Sequence, residues 1–506
     1  MSERATPARE PETGSIGHRA ASGVLWLTVQ KWAIRISGFI SIAVLTRLLS
    51  PEDFGTVAAA TTVLPFFYLL SDLGFAAYIV QADTVDRRLL STGFWFSLIA
   101  GLGLAVVVIA AAPLFGLVFQ SAEFVPVLQV LALSVIFNAV AAVPMALLRR
   151  DMRFRALAAQ GGIAAVAAQV VAIVMSIAGA GVWALVGQTL TSVLLTAVLA
   201  WAAARWRPSF AFSRRDFSSM ARFGGNVLAV ESVALGRAWA EAAIISSALG
   251  MAALGYLSIA QRLVQIVQDL TGAALVPVST VTFAKVRGDS ERLRSAYVRA
   301  LRVTYAVMSP PLLLLAVAAP LIIPIVFGDG WEESWGLTRI LALASILVVG
   351  ANLDNGLFYG LGRPGRWFAY ALVVDVCTVA ATAVTAHWGL QAVAYGFLVV
   401  AALATIGRLF LVARLLRTNA GSLAGPLGFL TAAVVGAGVA GWLVLSVTAD
   451  LAPILRIVLV GLAVLAAYLV VIRLLARQVI DEMTGYLGRF AWTDRFRTLV
   501  LRKERS

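Results

Sequence analysis

The chain contains many apolar runs that are each long enough to cross a lipid bilayer. A helical span needs about 20 mostly apolar residues. By that measure we identify fourteen spans, at residues 24–45, 57–80, 93–118, 126–148, 157–178, 182–204, 224–249, 254–283, 303–327, 336–361, 367–386, 391–411, 427–447 and 454–475. Lipid offers no partners to backbone N–H and C=O groups, so runs of this length with short connections must be helices. The sequence therefore predicts an all-α polytopic membrane protein.

The composition agrees with this class and argues against several kinds of site. Only 13% of the 506 residues are charged and 60% are apolar, whereas a soluble domain carries about a quarter charged residues. The single cysteine, Cys377, cannot form an internal disulfide, and His18 and His387 lie far apart in the chain. The connections on one side are very short. We therefore predict no metal, no cofactor and no catalytic site.

Positive charge provides an independent test of the count, because Lys and Arg accumulate on the cytoplasmic side of a membrane. If the N-terminus is cytoplasmic, all but seven of the 40 Lys and Arg residues fall in segments that also face the cytoplasm. This alternation predicts an even number of spans with both termini inside. It also explains the net charge of +14 without nucleic acid as a partner. We expect the first run to be the first span and no cleaved signal.

Two six-helix lobes and two extra helices describe the predicted organisation. We expect an N-terminal lobe at 1–204, a basic cytoplasmic linker at 205–223, a C-terminal lobe at 224–412, extra helices at 413–475 and a basic cytoplasmic tail at 476–506. A weak repeat supports the lobes: "LSPEDFGTVAAA" from Leu49 matches "LGMAALGYLSIA" from Leu249 and pairs Gly55 with Gly255. Such repeats occur in transporters whose substrate site lies between the repeats.

Two basic stretches have the pattern of interfacial helices. In "ERLRSAYVRALR", residues 291–302, Leu293, Tyr297 and Leu301 recur at roughly helical spacing. The second stretch, "GYLGRFAWTDRFRTLVLRKERS" at 485–506, combines arginines with aromatics and leucines. We expect both to lie on an anionic membrane surface.

A helix start is predicted in "LLSPEDFG", residues 48–55. Ser50 is placed to cap the helix and Pro51 to occupy its first position, while Glu52 and Asp53 lie near the positive end of the helix dipole.

Charged residues inside the spans are the candidate functional residues. Lys31 and Arg35 share one helix face about 10 and 16 Å deep in the membrane, where each costs about 2.5 to 3.5 kcal/mol to insert. The candidate cations of a hydrated substrate cavity are Lys31, Arg35, Arg237, Arg262 and Arg339, and the candidate cavity or ion-coupling acids are Asp72, Glu231, Asp269 and Asp354. Arg237 and Glu241 form an i,i+4 pair. The alternative is that these charges pair inside the bundle and hold helices together.

The strings "LTRLLSPEDFGTVAAA" and "SDLGFAAYIVQ", with the fourteen-span layout, resemble the Wzx-type polysaccharide flippases of the multidrug/oligosaccharidyl-lipid/polysaccharide exporter superfamily. The resemblance implies a transporter of the bacterial inner membrane rather than an enzyme. It implies translocation of an undecaprenyl-diphosphate-linked oligosaccharide between leaflets by alternating access, with membrane lipids, a polysaccharide polymerase and export machinery as partners. A cationic cavity would receive the diphosphate.

Other functions remain open at this point. A lipid II flippase would fit fourteen helices and a basic cavity equally well, and an ion-coupled multidrug antiporter shares the fold but leaves spans thirteen and fourteen unexplained. An ATP-driven exporter would need a phosphate-binding loop, which the sequence lacks. A membrane polymerase or glycosyltransferase would need a sizeable outer loop with catalytic acids. For ion coupling, Asp269 is favoured over Asp72 because it shares a polar stripe with Arg262 and Gln265.

Overall fold

Helices make up nearly all of the structure, a computed structural model that describes residue 35, residues 37–272, residue 283 and residues 289–475. Within these residues there are sixteen α-helices and no strands. In chain order they are α1 (Pro51–Asp72), α2 (Phe75–Gln81), α3 (Arg87–Phe119), α4 (Phe124–Leu131), α5 (Leu133–Arg150), α6 (Phe154–Ile177), α7 (Val182–Ala204), α8 (Arg214–Leu249), α9 (Met251–Gly272), α10 (Ser290–Phe327), α11 (Glu333–Val348), α12 (Ala351–Gly360), α13 (Pro364–Thr385), α14 (Leu390–Leu415), α15 (Ala420–Val447) and α16 (Pro453–Leu475). A helical segment at 37–45 precedes α1.

The all-α polytopic class is confirmed. Eleven helical segments of the described chain are long and apolar enough to cross a membrane. The predicted span 224–249 lies within α8, and the predicted span 254–283 corresponds to α9 as far as Gly272. The first predicted span is described only from Arg35 onward. The two helices that fall short of the apolar criterion are those that carry Arg237, Glu241, Arg262 and Asp269. These two least apolar spans hold four of the nine candidate functional residues, Glu231, Arg237, Arg262 and Asp269.

The start of α1 has the predicted cap. The backbone N–H and the hydroxyl of Ser50 both donate to the carboxylate of Asp53 at 2.8 Å, and the N–H of Asp53 donates back to the Ser50 hydroxyl at 3.2 Å. This reciprocal arrangement satisfies two backbone donors that the first turn of a helix leaves without partners.

Two compact units can be distinguished, and their boundaries fall within α1, α3, α4 and α8. Among the described residues, the first comprises those up to residue 48, 64–112 and 127–228, and its helices α6 and α7 form a closely packed pair that also contacts α5. Its core includes Phe75, Ile79, Leu90, Phe94 and Met220.

The non-helical connection at 205–213 is docked on this first unit. The N–H of Ser209 donates to the Ser91 hydroxyl, and the carbonyl of Ser209 accepts from the indole N–H of Trp95, both at 2.9 Å. Trp206 packs beside Phe94 and Trp201. The remaining residues of the predicted linker, from Arg214, are already part of α8.

Among the described residues, the second unit comprises 49–63, 113–126 and those from 229 to 475. Helix α10 is central to it and packs against α9, α11, α15 and α16, while α11 also packs against α14. Helix α10 contains Pro310, Pro311, Pro320 and Pro324 yet runs unbroken. Proline is tolerated in membrane helices because neighbouring groups supply partners to the freed carbonyls.

The basic stretch at 291–302 differs from its prediction. It is not a separate interfacial helix but the first turns of α10. Leu293, Tyr297 and Leu301 are buried against protein, because the apolar face of this stretch packs on neighbouring helices instead of lipid. The second predicted interfacial helix, at 485–506, lies outside the described residues.

Helices α1 and α9 cross at two glycines in the second unit. A Cβ atom at Gly55 would overlap the carbonyl of Met251, and a Cβ atom at Gly255 would overlap the carbonyl of Pro51. The contact is symmetric, because Pro51 and Met251 are 200 residues apart in the chain, as are Gly55 and Gly255. Only glycine permits this approach of two backbones, and the residues involved are those that the sequence repeat pairs.

An aromatic cluster covers this crossing. The ring of Trp331 packs edge-on against Phe54 of α1, with centroids 5.3 Å apart, and against Tyr256 of α9, with centroids 5.9 Å apart. Ser334 donates to the carbonyl of Tyr256 at 3.1 Å. The connection between α10 and α11, which contains Trp331, therefore fastens this end of α1 and α9.

Candidate functional site

A polar groove of about 460 Å³ runs along α9 beside α11. Its lining residues are Gln261, Arg262, Val264, Gln265, Gln268, Leu341 and Ser345. Arg262, Gln265 and Gln268 follow one another at intervals of three residues, and Gln261 precedes Gln265 by four, so these side chains share one face of α9. A guanidinium and three side-chain amides in one groove offer many hydrogen-bond donors. We call this the Arg262 groove.

Asp269 continues the polar face of α9 beyond the groove. The side-chain amide of Gln265 donates to its Oδ1 at 2.9 Å. The predicted stripe of Arg262, Gln265 and Asp269 is therefore present on one helix face, with Gln265 placed between the cation and the acid. An amide in this position can donate to a carboxylate and accept from a guanidinium, so it can couple the two charges.

A second group of charges joins α8 to α13. Arg237 donates from Nη1 to Oε1 of Glu241 at 2.6 Å, and its Nε lies 3.0 Å from Oδ1 of Asp375. The predicted pair of Arg237 and Glu241 is confirmed, and Asp375 joins it from another helix. The side chain of Arg237 is 36% exposed, and those of Glu241 and Asp375 are 12% and 22% exposed. We call these three residues the bridged cluster.

Asp354 lies in a third group, which is completely enclosed. Its Oδ1 accepts from the hydroxyl of Tyr297 and its Oδ2 from Nη1 of Arg408, both at 2.6 Å. Nη2 of Arg408 donates to the hydroxyl of Tyr305 at 2.9 Å, and that hydroxyl donates to the carbonyl of Leu347 at 2.7 Å. Both charged side chains are essentially inaccessible. We call Tyr297, Tyr305, Asp354 and Arg408 the sealed cluster.

The remaining predicted residues occupy separate positions. Arg339 lies over the ring of Trp335, 5.3 Å from its centroid. Both carboxylate oxygens of Asp72 accept the N–H of Ala76, at 3.1 and 3.3 Å, so this acid caps α2. Glu231 is exposed on α8 and Arg35 is half-buried. Lys31 lies outside the described residues.

Sequence reasoning missed the partners in the sealed cluster. The accumulation of Lys and Arg on the cytoplasmic side predicts a cytoplasmic position for Arg408, as for Arg414 and Arg417, but Arg408 is buried within α14. Tyr297 was assigned to an interfacial helix and is instead fully buried. One signal in the sequence separates Arg408 from Arg414 and Arg417: it is flanked by "LATIG" and "LFLVA", so an apolar helix continues on both sides of it.

Comparison with known proteins identifies the family. A family model described as "Polysaccharide biosynthesis protein" matches residues 44–336, more than half of the chain. The chain belongs to this family. As a polysaccharide biosynthesis protein, it is similar to the succinoglycan biosynthesis transport protein ExoT of Rhizobium meliloti, with 27% identity over 71% of this chain and 72% of the relative.

Two further proteins are similar to this polysaccharide biosynthesis protein, one in sequence and one in fold. It is 22% identical to the lipopolysaccharide biosynthesis protein WzxC of Escherichia coli over 78% of this chain and 80% of the relative. Its fold matches the lipid II flippase MurJ in an inward closed conformation, with a TM-score of 0.74 and 14% identity, over 90% of this chain and all of the other. The resemblance to Wzx-type flippases is confirmed, and the chain is a multi-pass membrane transporter rather than an enzyme.

Proposed function

We propose that the protein translocates an undecaprenyl-diphosphate-linked oligosaccharide from the inner to the outer leaflet by alternating access. The names of its relatives support this substrate class, since ExoT is a transport protein of succinoglycan biosynthesis and WzxC a protein of lipopolysaccharide biosynthesis. A diphosphate cannot cross hydrocarbon unaided. The protein must therefore offer it a polar route.

The observation that carries the proposal is the Arg262 groove. Its guanidinium can bind phosphate oxygens with two parallel hydrogen bonds. The amides of Gln261, Gln265 and Gln268 can bind sugar hydroxyls, because an amide both donates and accepts. The groove lies on a predicted spanning helix, where an accessible arginine needs a hydrated space or an anionic partner. The headgroup of a lipid-linked sugar supplies such a partner while its lipid tail stays in the bilayer. Lys31 and Arg35 stay predictions as further phosphate-binding residues.

Alternating access requires one end of the substrate path to close. The glycine crossing of α1 and α9, covered by Trp331, is suited to this task. Arg262 is seven residues along α9 from Gly255, which corresponds to about 10 Å. The crossing thus lies within two helical turns of the groove, and we propose that it opens when substrate leaves on that side.

The proposed orientation places this crossing on the outer side and both termini in the cytoplasm. The connection at 328–332 would then be external. Its Glu332 carboxyl accepts the N–H of Gly330 at 3.1 Å, and hydrogen bonds from its own N–H and that of Gly330 lower its pKa. The connection contains no Lys or Arg, which agrees with a location on the outer side of the membrane.

The orientation is tested by cysteine labelling in a Cys377→Ser background. An impermeant maleimide added to intact cells should label Asp329→Cys and should leave Phe210→Cys unlabelled. Both positions are outside the spans, and Phe210 is 95% exposed, so accessibility of the side chain is not in question. Labelling of Phe210→Cys alone would overturn the proposed orientation.

The substrate proposal is tested with Arg262→Ala, and Arg292→Ala is its matched control because Arg292 is an exposed arginine near the start of α10. In proteoliposomes, movement of an undecaprenyl-diphosphate-linked oligosaccharide should fall at least tenfold for Arg262→Ala and stay near the original rate for the control. Melting temperatures in detergent should be alike. Unchanged movement by Arg262→Ala would overturn the role of the groove.

Lipid II is the alternative substrate, and the similarity in fold to the lipid II flippase MurJ is the reason to test it. The same proteoliposomes are therefore loaded with lipid II in a parallel sample. Faster movement of lipid II than of the oligosaccharide lipid would favour the alternative. An ion-coupled drug antiporter is tested by adding an ion gradient and a cationic drug without either lipid.

Protonation of Asp269 is the proposed route of energy coupling. Its carboxylate accepts a hydrogen bond from Gln265, and Gln265 lines the groove. A change in the charge of Asp269 can therefore alter how Gln265 binds the substrate. Asp269→Asn should remove the dependence of transport on a proton gradient. Full dependence in this variant would exclude Asp269.

A further inference from the structure

A second cavity, of about 500 Å³, lies where three spans of the second unit end. Arg294 comes from the first turns of α10, Arg363 from the turn between α12 and α13, and Arg417 from the turn after α14. All three arginines are exposed. Glu291 is the one acid among the described residues that line the cavity. We call this the three-arginine pocket.

The pocket also has an apolar part. Leu293, Leu361, Leu415 and Leu416 contribute to its lining, and Leu293 and Leu416 are buried. Guanidinium groups beside leucines form an amphiphilic surface. Such a surface matches a ligand that joins a phosphate group to acyl chains better than it matches a free anion, which needs no apolar neighbour.

The sealed cluster holds the three walls of the pocket together. Tyr297 of α10 follows Arg294 by three residues, so it lies about one helical turn away. Asp354 belongs to α12, which ends just before Arg363, and Arg408 belongs to α14, which ends just before Arg417. The bonds from Tyr297 and Arg408 to Asp354 thus join the same three segments that carry the arginines. The pocket is built on a rigid base, which lowers the entropy lost when a ligand binds.

The depth of the pocket fits a lipid headgroup. The turn at Arg363 connects two spans directly, and Arg417 follows the last residue of α14 by two positions. These positions belong to the headgroup layer, which adds roughly 5 to 8 Å to each side of the hydrocarbon core. Under the proposed orientation this is the cytoplasmic leaflet, where anionic lipids attract basic groups.

We propose that the three-arginine pocket binds the phosphate group of a resident anionic phospholipid of the inner leaflet. The lipid contacts the ends of α10, α12 and α14 at the protein surface, whereas the sealed cluster connects the same helices in the protein interior. This inference rests on the proposed orientation and is independent of the transported substrate. It assigns the pocket a stabilising ligand distinct from any cargo in the Arg262 groove.

The test uses the purified full chain in a neutral detergent. Phosphatidylglycerol is added at increasing mole fraction, with phosphatidylcholine as the neutral lipid, and the melting temperature is followed. The triple variant Arg294→Gln/Arg363→Gln/Arg417→Gln removes the cations, and Arg366→Gln/Arg414→Gln is the control. Both control arginines are exposed near the pocket and are not among its lining residues. If the triple variant does not fold, Arg363→Gln alone is measured.

Phosphatidylglycerol should raise the melting temperature of the original protein and of the control by a few degrees, as expected for a ligand that binds only the folded state. The shift should be lost in the triple variant, reduced in Arg363→Gln and weakened by high salt. An equal shift in the triple variant would overturn the proposal. So would a shift that inorganic phosphate produces and phosphatidylglycerol does not, which indicates a free anion. A shift by undecaprenyl diphosphate in phosphatidylcholine that the triple variant loses, when phosphatidylglycerol gives none, would assign the pocket to the cargo and overturn the proposal as well. A failure of transport by Arg262→Ala leaves this measurement unaffected, so the two proposals are tested separately.

Discussion

The sealed cluster and the bridged cluster have the same chemistry in different surroundings. In each, an arginine of one helix binds an aspartate of another, at 2.6 Å between Arg408 and Asp354 and at 3.0 Å between Arg237 and Asp375. The first pair has side chains 1% and 0% exposed, whereas Arg237 and Asp375 are 36% and 22% exposed. The distances alone would assign both pairs a similar contribution to stability. The exposed fractions of the side chains distinguish the two pairs.

The difference in exposure determines which charges can change partners. In the sealed cluster both oxygens of Asp354 and both terminal nitrogens of Arg408 have protein partners. No route lets an ion or a phosphate exchange with them without breaking the packing. Arg237 is accessible and already divided between two acids. An incoming anion can compete for it, so the bridged cluster can take part in transport, whereas the sealed cluster serves to hold helices together.

The largest expected effect comes from breaking the sealed pair. Arg408→Ala leaves the carboxylate of Asp354 buried without its cation, and we expect it to destabilise the protein by about 3 to 5 kcal/mol. Lower expression and a lower melting temperature in detergent would be measured together. Arg414→Ala, which removes an exposed arginine of the same helix, is the control and should have little effect. Equal stability of the two variants would contradict the structural role of Arg408.

Replacing both members of the sealed pair should cost much less than replacing one. Buried ion pairs can often be exchanged for apolar residues of similar size with little loss, because the desolvation cost disappears with the charges. Asp354→Leu/Arg408→Met should therefore recover most of the stability lost in Arg408→Ala and unfold within about 2 kcal/mol of the original protein. The hydroxyls of Tyr297 and Tyr305 lose partners in this variant, which sets the remaining cost. A double variant less stable than Arg408→Ala would show that the unpartnered tyrosine hydroxyls, and not the ion pair, determine the loss of stability.

The contrast between the clusters also shows how far sequence reasoning extends. Hydropathy was sufficient for the eleven described spans that are long and apolar enough to cross a membrane, because such a run must be a helix in lipid. The pair of Arg237 and Glu241 was predictable because residues four apart on a helix are neighbours. The pairing of Asp354 with Arg408 was not, because it depends on how α12 and α14 pack, and no local rule relates positions 54 residues apart. In sequence, Arg408 also resembles Arg414 and Arg417, which are predicted to be cytoplasmic, because all three follow the same apolar run.

A smaller effect is expected from the bridged cluster. Asp375→Asn removes one of the two acids that bind Arg237, and the remaining bond to Glu241 limits the loss. We expect a cost of about 1 to 2 kcal/mol, within the range of polar contacts between membrane helices and well below that of a sealed pair. Equilibrium unfolding in mixed micelles measures it, with Cys377→Ser on the same helix as the control. A cost as large as that of Arg408→Ala would erase the distinction drawn from exposure.

The smallest effect on stability is expected at an ion pair that is exposed to solvent, Arg292 with Asp289. Arg292 lies 3.2 Å from Asp289, but the two side chains are 80% and 48% exposed, so solvent screens their attraction. Asp289 keeps its other role without the arginine, because its side chain accepts the backbone N–H groups of Glu291 and Arg292 and caps α10. Arg292→Ala should therefore lower the free energy of unfolding by about 0.2 to 1 kcal/mol, and this loss should vanish at high salt.

Asp289→Ala removes the cap as well and should lower the free energy of unfolding by about 1 kcal/mol more, with no comparable dependence on salt. The two variants thus separate charge pairing from capping at one helix end. If Arg292→Ala were as costly as Asp375→Asn at high salt, exposure would not rank the ion pairs of this protein.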